Sequence, residues 1–259
     1  MTLQELTARL RAANIENATG EARLLLEAFE GQALEEAVSR RVTHYPLQYI
    51  LGEWHFYREV YEVDENCLIP RSDTEILVEL ATKTLANGAR FLDLCTGSGC
   101  VAVSTLAARP DTTAVAVDLF EKTLALATRN AAKNGVAARF TPKQADVLCA
   151  PSEAFAGELF DAILSNPPYI LDSVVPTLQT EVSFEPQAAL AGGRDGLDFY
   201  RAILQNWRQL LKPNGIILFE IGYDQAGALR ALATTVGMHC EIKKDYGGCD
   251  RVALLSPKA

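Results

Sequence analysis

A chain of 259 residues is long enough for one complete α/β domain and a smaller companion. Apolar residues make up 49 % and charged residues 22 %, which predicts a packed core, and no apolar run reaches the ~18 residues that a membrane span needs. The formal net charge of −9 argues against phosphate contacts as the main source of affinity, so a protein partner or a small substrate is favoured over nucleic acid.

The N-terminal segment, up to about residue 43, has the pattern of short helices. Its first residues contain neither the basic nor the apolar part of a secretory signal, so we expect a cytoplasmic protein. Thr2 and Glu5 fit a capping box, and leucines then recur at helical spacing. Short helices bury little surface alone, so this segment should lean on a larger domain.

The residue composition changes after this segment. β-favouring residues, with charged residues among them, are frequent between Tyr45 and Ile69, which predicts a β-hairpin. Pro70 ends the hairpin. Ser72 and Glu75 form a second capping-box pattern, which predicts a helix that reaches Leu85.

From Arg90 onward, strands and helices alternate. We predict strands at 91–94, 113–117, 160–164 and 215–221, another strand before Asp146, helices at 101–108, 121–133, 197–211 and 226–236, and a final strand pair at 240–244 and 251–255. The repeated β-α-β order predicts a parallel sheet covered by helices on both faces. The final strand pair could add an antiparallel edge.

A glycine-rich turn follows the first strand of this region. Gly97 and Gly99 let the backbone pass close to a ligand at the carboxyl edge of the sheet, where open parallel sheets bind ligands. The spacing Gly97-x-Gly99-x-x-Ala102, with Asp118 about 20 residues further on, also fits the loose dinucleotide fingerprint. The turn alone therefore supports NAD, S-adenosylmethionine, or a tight turn that binds no ligand.

The acidic residues near the turn help to choose between these cofactors. We expect the Asp93 carboxylate to point at the ligand, where the anionic pyrophosphate of a dinucleotide would need donors instead. S-adenosylmethionine carries a sulfonium and an ammonium and no phosphate, so carboxylates suit it better. Asp118 is placed to hold a ribose diol. Asp146 is placed to reach the adenine amine, although an exposed loop acid is the alternative for that residue.

A second motif, Ser165-Asn166-Pro167-Pro168-Tyr169, ends a strand at the same edge of the sheet. The two prolines remove two backbone donors, and Asn166 adds a side-chain carbonyl, so the motif offers acceptors for a planar NH2 group that packs on Tyr169. Such acceptors can aim the lone pair of an amide nitrogen at the cofactor methyl, and no strong base is needed. The alternative is a proline-rich loop that only closes the strand.

The six cysteines are scattered along the chain, and no pair has the spacing C-x-x-C. Only three histidines could join them, so we predict no zinc site and no other metal. Free thiols that pack as small buried apolar residues are expected instead.

Several further segments have a recognisable pattern: Pro46–Gly52, Leu68–Glu75, Leu92–Gly99, Ser165–Ile170, Phe184–Pro186, Gly193–Leu197, Glu220–Gly222 and Asp250–Val252. Together, and in this order, they resemble the PrmC/HemK family, the peptide chain release factor glutamine methyltransferases. The resemblance covers nearly the whole chain, including its helical N-terminal part.

The resemblance implies an α/β fold: a Rossmann-like, seven-stranded class I S-adenosylmethionine-dependent methyltransferase domain at 72–259, a small N-terminal helical domain at 1–43 and a β-hairpin linker at 44–71. The implied cofactor is S-adenosyl-L-methionine, with S-adenosyl-L-homocysteine as product. The implied substrate is the glutamine of Gly-Gly-Gln in class I release factors, methylated on its side-chain amide. The N-terminal domain and hairpin should help to grip the release factor. We expect a monomer that does not contact nucleic acid directly.

Site residues follow from the same resemblance. The expected catalytic residues are Asn166, Pro167 and Tyr169, which also bind the substrate together with Pro168. The expected cofactor-binding residues are Asp93, Cys95, Thr96, Gly97, Ser98, Gly99, Asp118, Leu119, Asp146, Val147 and Asn166. Arg71 and Glu75 either line the substrate cleft or pair across the domain junction, whereas Arg251 is expected to be structural.

Two residues depart from the family pattern. Cys95 stands where the family usually has glycine, and its Cβ is tolerable next to the cofactor if its φ is negative, although it could weaken binding. Ser72 replaces a common proline, and a helix N-cap explains that change.

Four other functions stay open at this point. A nucleic-acid amino-methyltransferase would share the motif from Asn166 to Tyr169, but the net charge disfavours it. A nicotinamide oxidoreductase would leave that motif without a role, and only Cys95 hints at a binding module that has lost its cofactor. A related enzyme methylates a ribosomal-protein glutamine; its linker lacks the continuation Asp73-Thr74-Glu75, so the release factor is favoured.

Overall fold

The computed structural model describes residues 1–258 of the chain. The predicted N-terminal helices are confirmed as α1 (Leu3–Ala12), α2 (Ala18–Ala28) and α3 (Gly31–Arg41). The first capping box is also confirmed: the Thr2 hydroxyl accepts from Glu5 N at 3.3 Å, and the Glu5 carboxylate accepts from Thr2 N at 2.7 Å.

A further helix, α4 (Leu47–Leu51), lies in the segment for which the sequence predicts only a hairpin. Pro46 precedes its first turn, and Gly52 ends it in the left-handed region at φ +75°. Leu47 and Ile50 are buried in the apolar core of α1, α2 and α3. The helical packing therefore continues beyond residue 43. Five residues are too few for helical periodicity to be recognisable.

The predicted hairpin is confirmed as β1 (Glu53–Phe56) and β2 (Glu59–Glu62), which pair antiparallel. In its turn, the amide of Tyr57 donates to Glu75 Oε1 at 2.9 Å. The predicted capping box between Ser72 and Glu75 is wrong, because the Glu75 carboxylate accepts from the hairpin turn and not from the backbone of Ser72. A 3₁₀ turn at Ser72–Thr74 precedes helix α5 (Glu75–Thr84).

The main sheet has seven strands: β3 (Arg90–Leu94), β4 (Thr113–Asp118), β5 (Phe140–Gln144), β6 (Phe160–Ser165), β7 (Leu211–Glu220), β8 (Met238–Lys244) and β9 (Asp250–Pro257). Their order is β5-β4-β3-β6-β7-β9-β8. The strands from β3 to β7 run parallel, and β9 lies antiparallel between β7 and β8. The predicted parallel sheet with an antiparallel edge is confirmed.

The remaining helices are α6 (Cys100–Ala108), α7 (Glu121–Lys133), α8 (Asp198–Ala202) and α9 (Ala226–Thr235). The single helix predicted over 197–211 is only partly confirmed. It widens into a π turn at Ile203–Trp207 and tightens into a 3₁₀ turn at Arg208–Leu210. The buried Trp207 indole donates to the carbonyls of Val147 and Cys149, both at 3.0 Å. Such a tertiary contact leaves no periodic signal in the sequence.

Two apolar layers cover the two faces of the sheet. Neighbouring residues of β3 alternate between them, as a pleated strand requires: Phe91 packs with the α5–α7 layer, and Leu92 packs with the α8–α9 layer. The hairpin joins the first layer, because Tyr61 is fully buried and its hydroxyl bonds to Ser104 of α6 at 2.6 Å. Among residues 1–258, no helix has the length and apolar character needed to cross a membrane.

Candidate active site

A cavity of about 300 Å³ lies at the carboxyl edge of the sheet, a size at the lower end of known ligand pockets. The turns after β3, β4, β5 and β6 form much of its wall, together with parts of 66–74 and 186–191. Of the predicted cofactor residues, the lining contains Cys95, Thr96, Gly97, Ser98, Asp118, Leu119, Asp146, Val147 and Asn166. Asp93 and Gly99 are not part of the lining.

The glycine turn after β3 is held by hydrogen bonds from its backbone N–H groups to residues of β4. Thr96 N donates to the carbonyl of Val117 at 2.9 Å, and Gly97 N donates to Asp118 Oδ2 at 3.0 Å. Gly97 and Gly99 have φ of +55° and +81°, which side chains rarely adopt. A Cβ at Gly99 would also lie 3.1 Å from the Cβ of Ala127. Gly99 therefore serves close packing against α7.

Asp93 does not point at the cavity as expected. Its side chain is 1 % exposed, and its Oδ2 accepts from the Thr96 hydroxyl at 2.6 Å and from Ala102 N at 3.2 Å. The first turn of α6 has free N–H groups, and they attract this carboxylate. Burial raises the pKa of the Asp93 carboxyl to about 7, while these two hydrogen bonds oppose the rise. Asp93 thus fixes the conformation of the glycine turn without lining the cavity.

Cys95 has φ of +61°, so the negative φ on which its tolerance was expected to depend is absent. A residue with a Cβ in the left-handed region costs roughly 1–2 kcal/mol relative to glycine. The side chain lines the cavity and also packs against the apolar layer of α8 and α9. This contact offsets part of the backbone strain.

Asp118 and Asp146 bring two carboxylates to the cavity wall. Asp118 also accepts from Phe120 N at 3.2 Å, and burial raises the pKa of its carboxyl although backbone N–H groups oppose the rise. Asp146 accepts from Leu148 N at 2.9 Å, which fixes its side chain. Leu119 and Val147 follow these acids in the lining.

The charges of the cavity favour a cationic ligand. The charged residues of its lining are Arg71, Asp118 and Asp146, and Arg71 is paired with Glu185 outside it. The Gly97 N–H, which a pyrophosphate would need, already donates to Asp118. The lining therefore suits a sulfonium and an ammonium better than a dinucleotide phosphate.

A second cleft of about 150 Å³ adjoins the first cavity and shares Leu68, Arg71, Asn166 and Ala189 with it. Pro167, Tyr169 and Glu220 line only this cleft, whereas Pro168 lines the first cavity. Three of the four residues from Asn166 to Tyr169 thus meet at the cleft. Asn166 stands at the junction of both spaces.

The orientation of Asn166 is set by Thr74, which is 1 % exposed. Asn166 Nδ2 donates to Thr74 Oγ1 at 3.1 Å, so Oδ1 is the atom left to accept from a ligand. The Tyr169 hydroxyl donates to Glu220 Oε1 at 3.2 Å, and burial raises the pKa of Tyr169 well above its usual range. These contacts fix the amide and the phenol ring before any ligand binds.

Residues further along the chain support this loop, and motif reasoning did not identify them as part of the site. Gln225 Nε2 donates to the carbonyls of Tyr169 and Gly196, both at 3.1 Å. A Cβ at Gly192 would lie 2.7 Å from the carbonyl oxygen of Pro168. The segment Gly193–Leu197 was a usable signal, because it belongs to the pattern described above. Gln225 lies outside every such segment.

A buried asparagine of α7 also escaped sequence reasoning. Asn130 is fully buried, and its Nδ2 donates to the carbonyls of Ser98 at 2.9 Å and Glu62 at 3.0 Å. Its Oδ1 accepts from Glu62 N at 2.7 Å. One side chain thus connects the hairpin to the glycine turn.

The structure brings Arg71 to the site but not Glu75. Arg71 lines both spaces and forms an ion pair with Glu185, whose other oxygen accepts from Ile69 N at 3.0 Å. Glu75 lies outside both linings and bonds to the hairpin turn. Arg251 pairs with Asp73 at 3.2 Å and with Asp245 at 3.1 Å, which fits its expected structural role.

The thiols are less uniformly buried than expected. Cys67 and Cys100 are buried, but Cys149 and Cys249 are exposed, so the expectation is wrong for the second pair. Both exposed cysteines lie in surface turns, where packing does not require an apolar residue. Across residues 1–258, no three His, Cys, Asp or Glu side chains form a group that could hold a metal ion.

Comparison with known proteins shows that this fold is that of a methyltransferase. The family model described as "Methyltransferase small domain" matches residues 72–188. The solved ribosomal protein L11 methylase from Lactobacillus delbrueckii subsp. bulgaricus has a TM-score of 0.54 and 18 % identity, covering 80 % of this chain and 92 % of that one. That likeness concerns the fold alone. The seven-stranded sheet and the family model together define a Rossmann-like methyltransferase domain.

Two relatives narrow this class to one family. The release factor glutamine methyltransferase of Thermodesulfovibrio yellowstonii is 39 % identical, over 87 % of this chain and 81 % of that protein. The protein of the same name from Moorella thermoacetica is 40 % identical, over 85 % of this chain and 77 % of that protein. The chain belongs to the release factor glutamine methyltransferase family, which confirms the resemblance found in its sequence.

Proposed function

We propose that the protein transfers a methyl group from S-adenosylmethionine to the side-chain amide of the glutamine in the Gly-Gly-Gln motif of class I release factors. The observation that carries this proposal is the fixed amide of Asn166, whose Oδ1 is left to accept at the junction of two cavities. The names of the two relatives support the choice of substrate.

S-adenosylmethionine would occupy the larger cavity and, when bound, supplies an electrophilic methyl group. The turn from Cys95 to Ser98 would lie against its amino-acid part, and the Asp118 carboxylate would accept from its ribose hydroxyls. Asp146 would accept from the adenine amine, with Leu119 and Val147 packed beside the base. Asp93 fixes the turn through its hydrogen bonds, and Gly99 does so by packing against α7, so neither residue needs to contact the cofactor.

The substrate amide would enter through the second cleft. Asn166 Oδ1 and the Pro167 carbonyl, which accepts no hydrogen bond from any of residues 1–258, would each accept one of its N–H groups. Two fixed acceptors hold the nitrogen lone pair toward the methyl group and stabilise the positive charge that develops on nitrogen. Tyr169 would pack against the amide plane, while Pro168 faces the cofactor side.

Binding of a whole release factor would involve more than the cleft. In this proposal the helical domain at 1–43 and the linker at 44–71 grip the factor, and residues 72–259 carry out the transfer. Glu181, in the loop that lines the second cleft, pairs with Arg41 at 3.3 Å and His44 at 2.8 Å. This contact would link the N-terminal region to the cleft. The proposed enzyme is a cytoplasmic monomer that needs neither nucleic acid nor metal.

The test is methyl transfer from labelled S-adenosylmethionine to purified release factor with Gly-Gly-Gln or Gly-Gly-Ala. The expected result is label in the Gly-Gly-Gln protein alone. Label in neither protein, with cofactor still bound, would contradict the proposed substrate. Ribosomal-protein and RNA acceptors would then be tested by the same assay.

A further inference from the structure

Glu220, the last residue of β7, is a carboxyl group for which the proposed reaction has no role so far. It is 2 % exposed, yet it lines the second cleft. Oε1 accepts from the Tyr169 hydroxyl at 3.2 Å, whereas Oε2 is buried without a hydrogen-bond partner in the described chain of 1–258. A buried acceptor left unmatched is costly, especially on a charged group.

The other polar atoms around the cleft show which kind of group Oε2 would match. Asn166 offers Oδ1, and Pro167 has no N–H to donate. Arg71 is a donor in the lining, but it is already paired with Glu185. The remaining lining is mainly apolar, with Leu178, Val182 and Leu190 from the loop over the cleft. An occupant that satisfies this surface must bring several N–H donors, as a peptide that carries a primary amide does.

We infer that Glu220 is a substrate-binding residue, whose Oε2 accepts a hydrogen bond from a backbone N–H of the peptide segment that carries the target glutamine. This inference rests on the proposed function, because it assumes that the same segment delivers its side-chain amide to Asn166. The glycines of a Gly-Gly-Gln segment would favour such a contact, since they leave backbone N–H groups accessible.

The protonation state of Glu220 should affect this contact. Burial is the main reason why the pKa of its carboxyl is raised to about 7; the nearby Thr74 hydroxyl, Arg251 and the Tyr169 hydroxyl oppose this rise, and Asp73 adds to it. The charge of Arg251 is itself shared with Asp73 and Asp245. Above about pH 7 the carboxylate accepts only, whereas below it one oxygen carries a proton and competes with the peptide N–H.

A purely structural role would consist of holding the Tyr169 hydroxyl. Glu220→Gln separates the two roles, because the amide keeps one oxygen for Tyr169 and replaces the free acceptor with an NH2 donor. Asp245→Asn is the matched control: it removes a carboxylate charge from the same Arg251 network but lies outside the cleft.

The experiment measures kinetics with intact release factor and cofactor affinity by calorimetry. We expect Glu220→Gln to raise the KM for release factor about tenfold or more, with a smaller change in kcat, because a hydrogen bond to a charged acceptor is lost. The Kd for S-adenosylmethionine should stay within about twofold, as should all constants of Asp245→Asn. In the wild type, kcat/KM should fall as the pH drops below about 7, and Glu220→Gln should abolish this fall.

Two results would overturn the inference while the proposed function stands: a Glu220→Gln variant with wild-type KM, or a wild-type KM for release factor that does not change between about pH 6 and 8. The second measurement needs no variant, so poor folding of Glu220→Gln cannot obscure the answer. If the wild type fails to methylate the Gly-Gly-Gln protein at all, the proposed function itself fails.

Discussion

Gly97 and Gly99 lie in the same turn and share left-handed backbone conformations, but they differ in the space around them. A Cβ at Gly99 would lie 3.1 Å from the Cβ of Ala127 and 3.3 Å from its Cα, whereas a Cβ at Gly97 would have nothing within 4 Å. Replacing each by alanine therefore separates backbone strain from close packing between the turn and α7.

The expected magnitudes follow from these two effects. Alanine in the left-handed region costs roughly 1–2 kcal/mol, and the stiffer unfolded chain returns about 0.4–1 kcal/mol. Gly97→Ala should thus lower the free energy of unfolding by about 1 kcal/mol. Gly99→Ala has the same strain and a forced contact, which adds about 1–3 kcal/mol in a packed region. Its total loss should be about 3 kcal/mol.

Thermal and urea unfolding without cofactor would measure this difference, since cofactor contacts at Gly97 then play no part. A gap of about 2 kcal/mol corresponds to Tm values roughly 4–8 °C apart for a chain of this size. Gly88→Ala provides a control outside the turn, with φ of +68° and open space around it. Equal Tm values for Gly97→Ala and Gly99→Ala would refute the assignment of Gly99 to close packing.

Three further variants test the site. Asn166→Ala should lower kcat/KM for release factor at least about 100-fold, because one positioning acceptor is lost, while the Kd for S-adenosylmethionine should change less than twofold. Turnover near the wild-type rate would contradict the proposed mechanism. Asp118→Asn should weaken cofactor binding about tenfold in calorimetry, since a charged acceptor becomes a neutral amide; an unchanged Kd would remove Asp118 from the cofactor site. The pKa of Asp93 is raised by burial to about 7, so the folded state holds a proton that the unfolded state has lost, and stability falls as the pH rises from about 4 to about 7. Asp93→Asn should make that fall shallower in urea unfolding; an identical pH dependence would contradict the burial of an ionisable group there.

Secondary structure was predictable where a regular pattern controls it. The first capping box and the helix predicted over 121–133 both match the structure, because local hydrogen bonds and apolar spacing decide them. The errors lie where tertiary contacts decide. The helix predicted over 197–211 contains a π turn at the point where the Trp207 indole donates to two carbonyls. Glu75 accepts from the hairpin turn and does not form the predicted cap.

The candidate site was predictable in position more than in orientation. The sequence indicates which turns meet at the carboxyl edge, because parallel strands end there together. It cannot indicate that Asp93 turns back to the first N–H groups of α6, or that Cys95 has positive φ. Thr74 illustrates the same limit: its hydroxyl orients Asn166 across 92 residues of chain, which no local pattern records.

The network around Thr74 also explains why residue 166 should be an amide rather than an acid. The Thr74 hydroxyl accepts from Asn166 Nδ2 and also lowers the pKa of the nearby Glu220 carboxyl, so one buried hydroxyl influences both positions. An aspartate at 166 would have no N–H for Thr74 and would place a second carboxylate near Glu220. Two buried like charges raise the pKa of one partner, and the protonated oxygen would then offer a donor where the substrate N–H needs an acceptor. Asparagine keeps an acceptor in the cleft at every pH, and it leaves Glu220 as the group whose protonation can change.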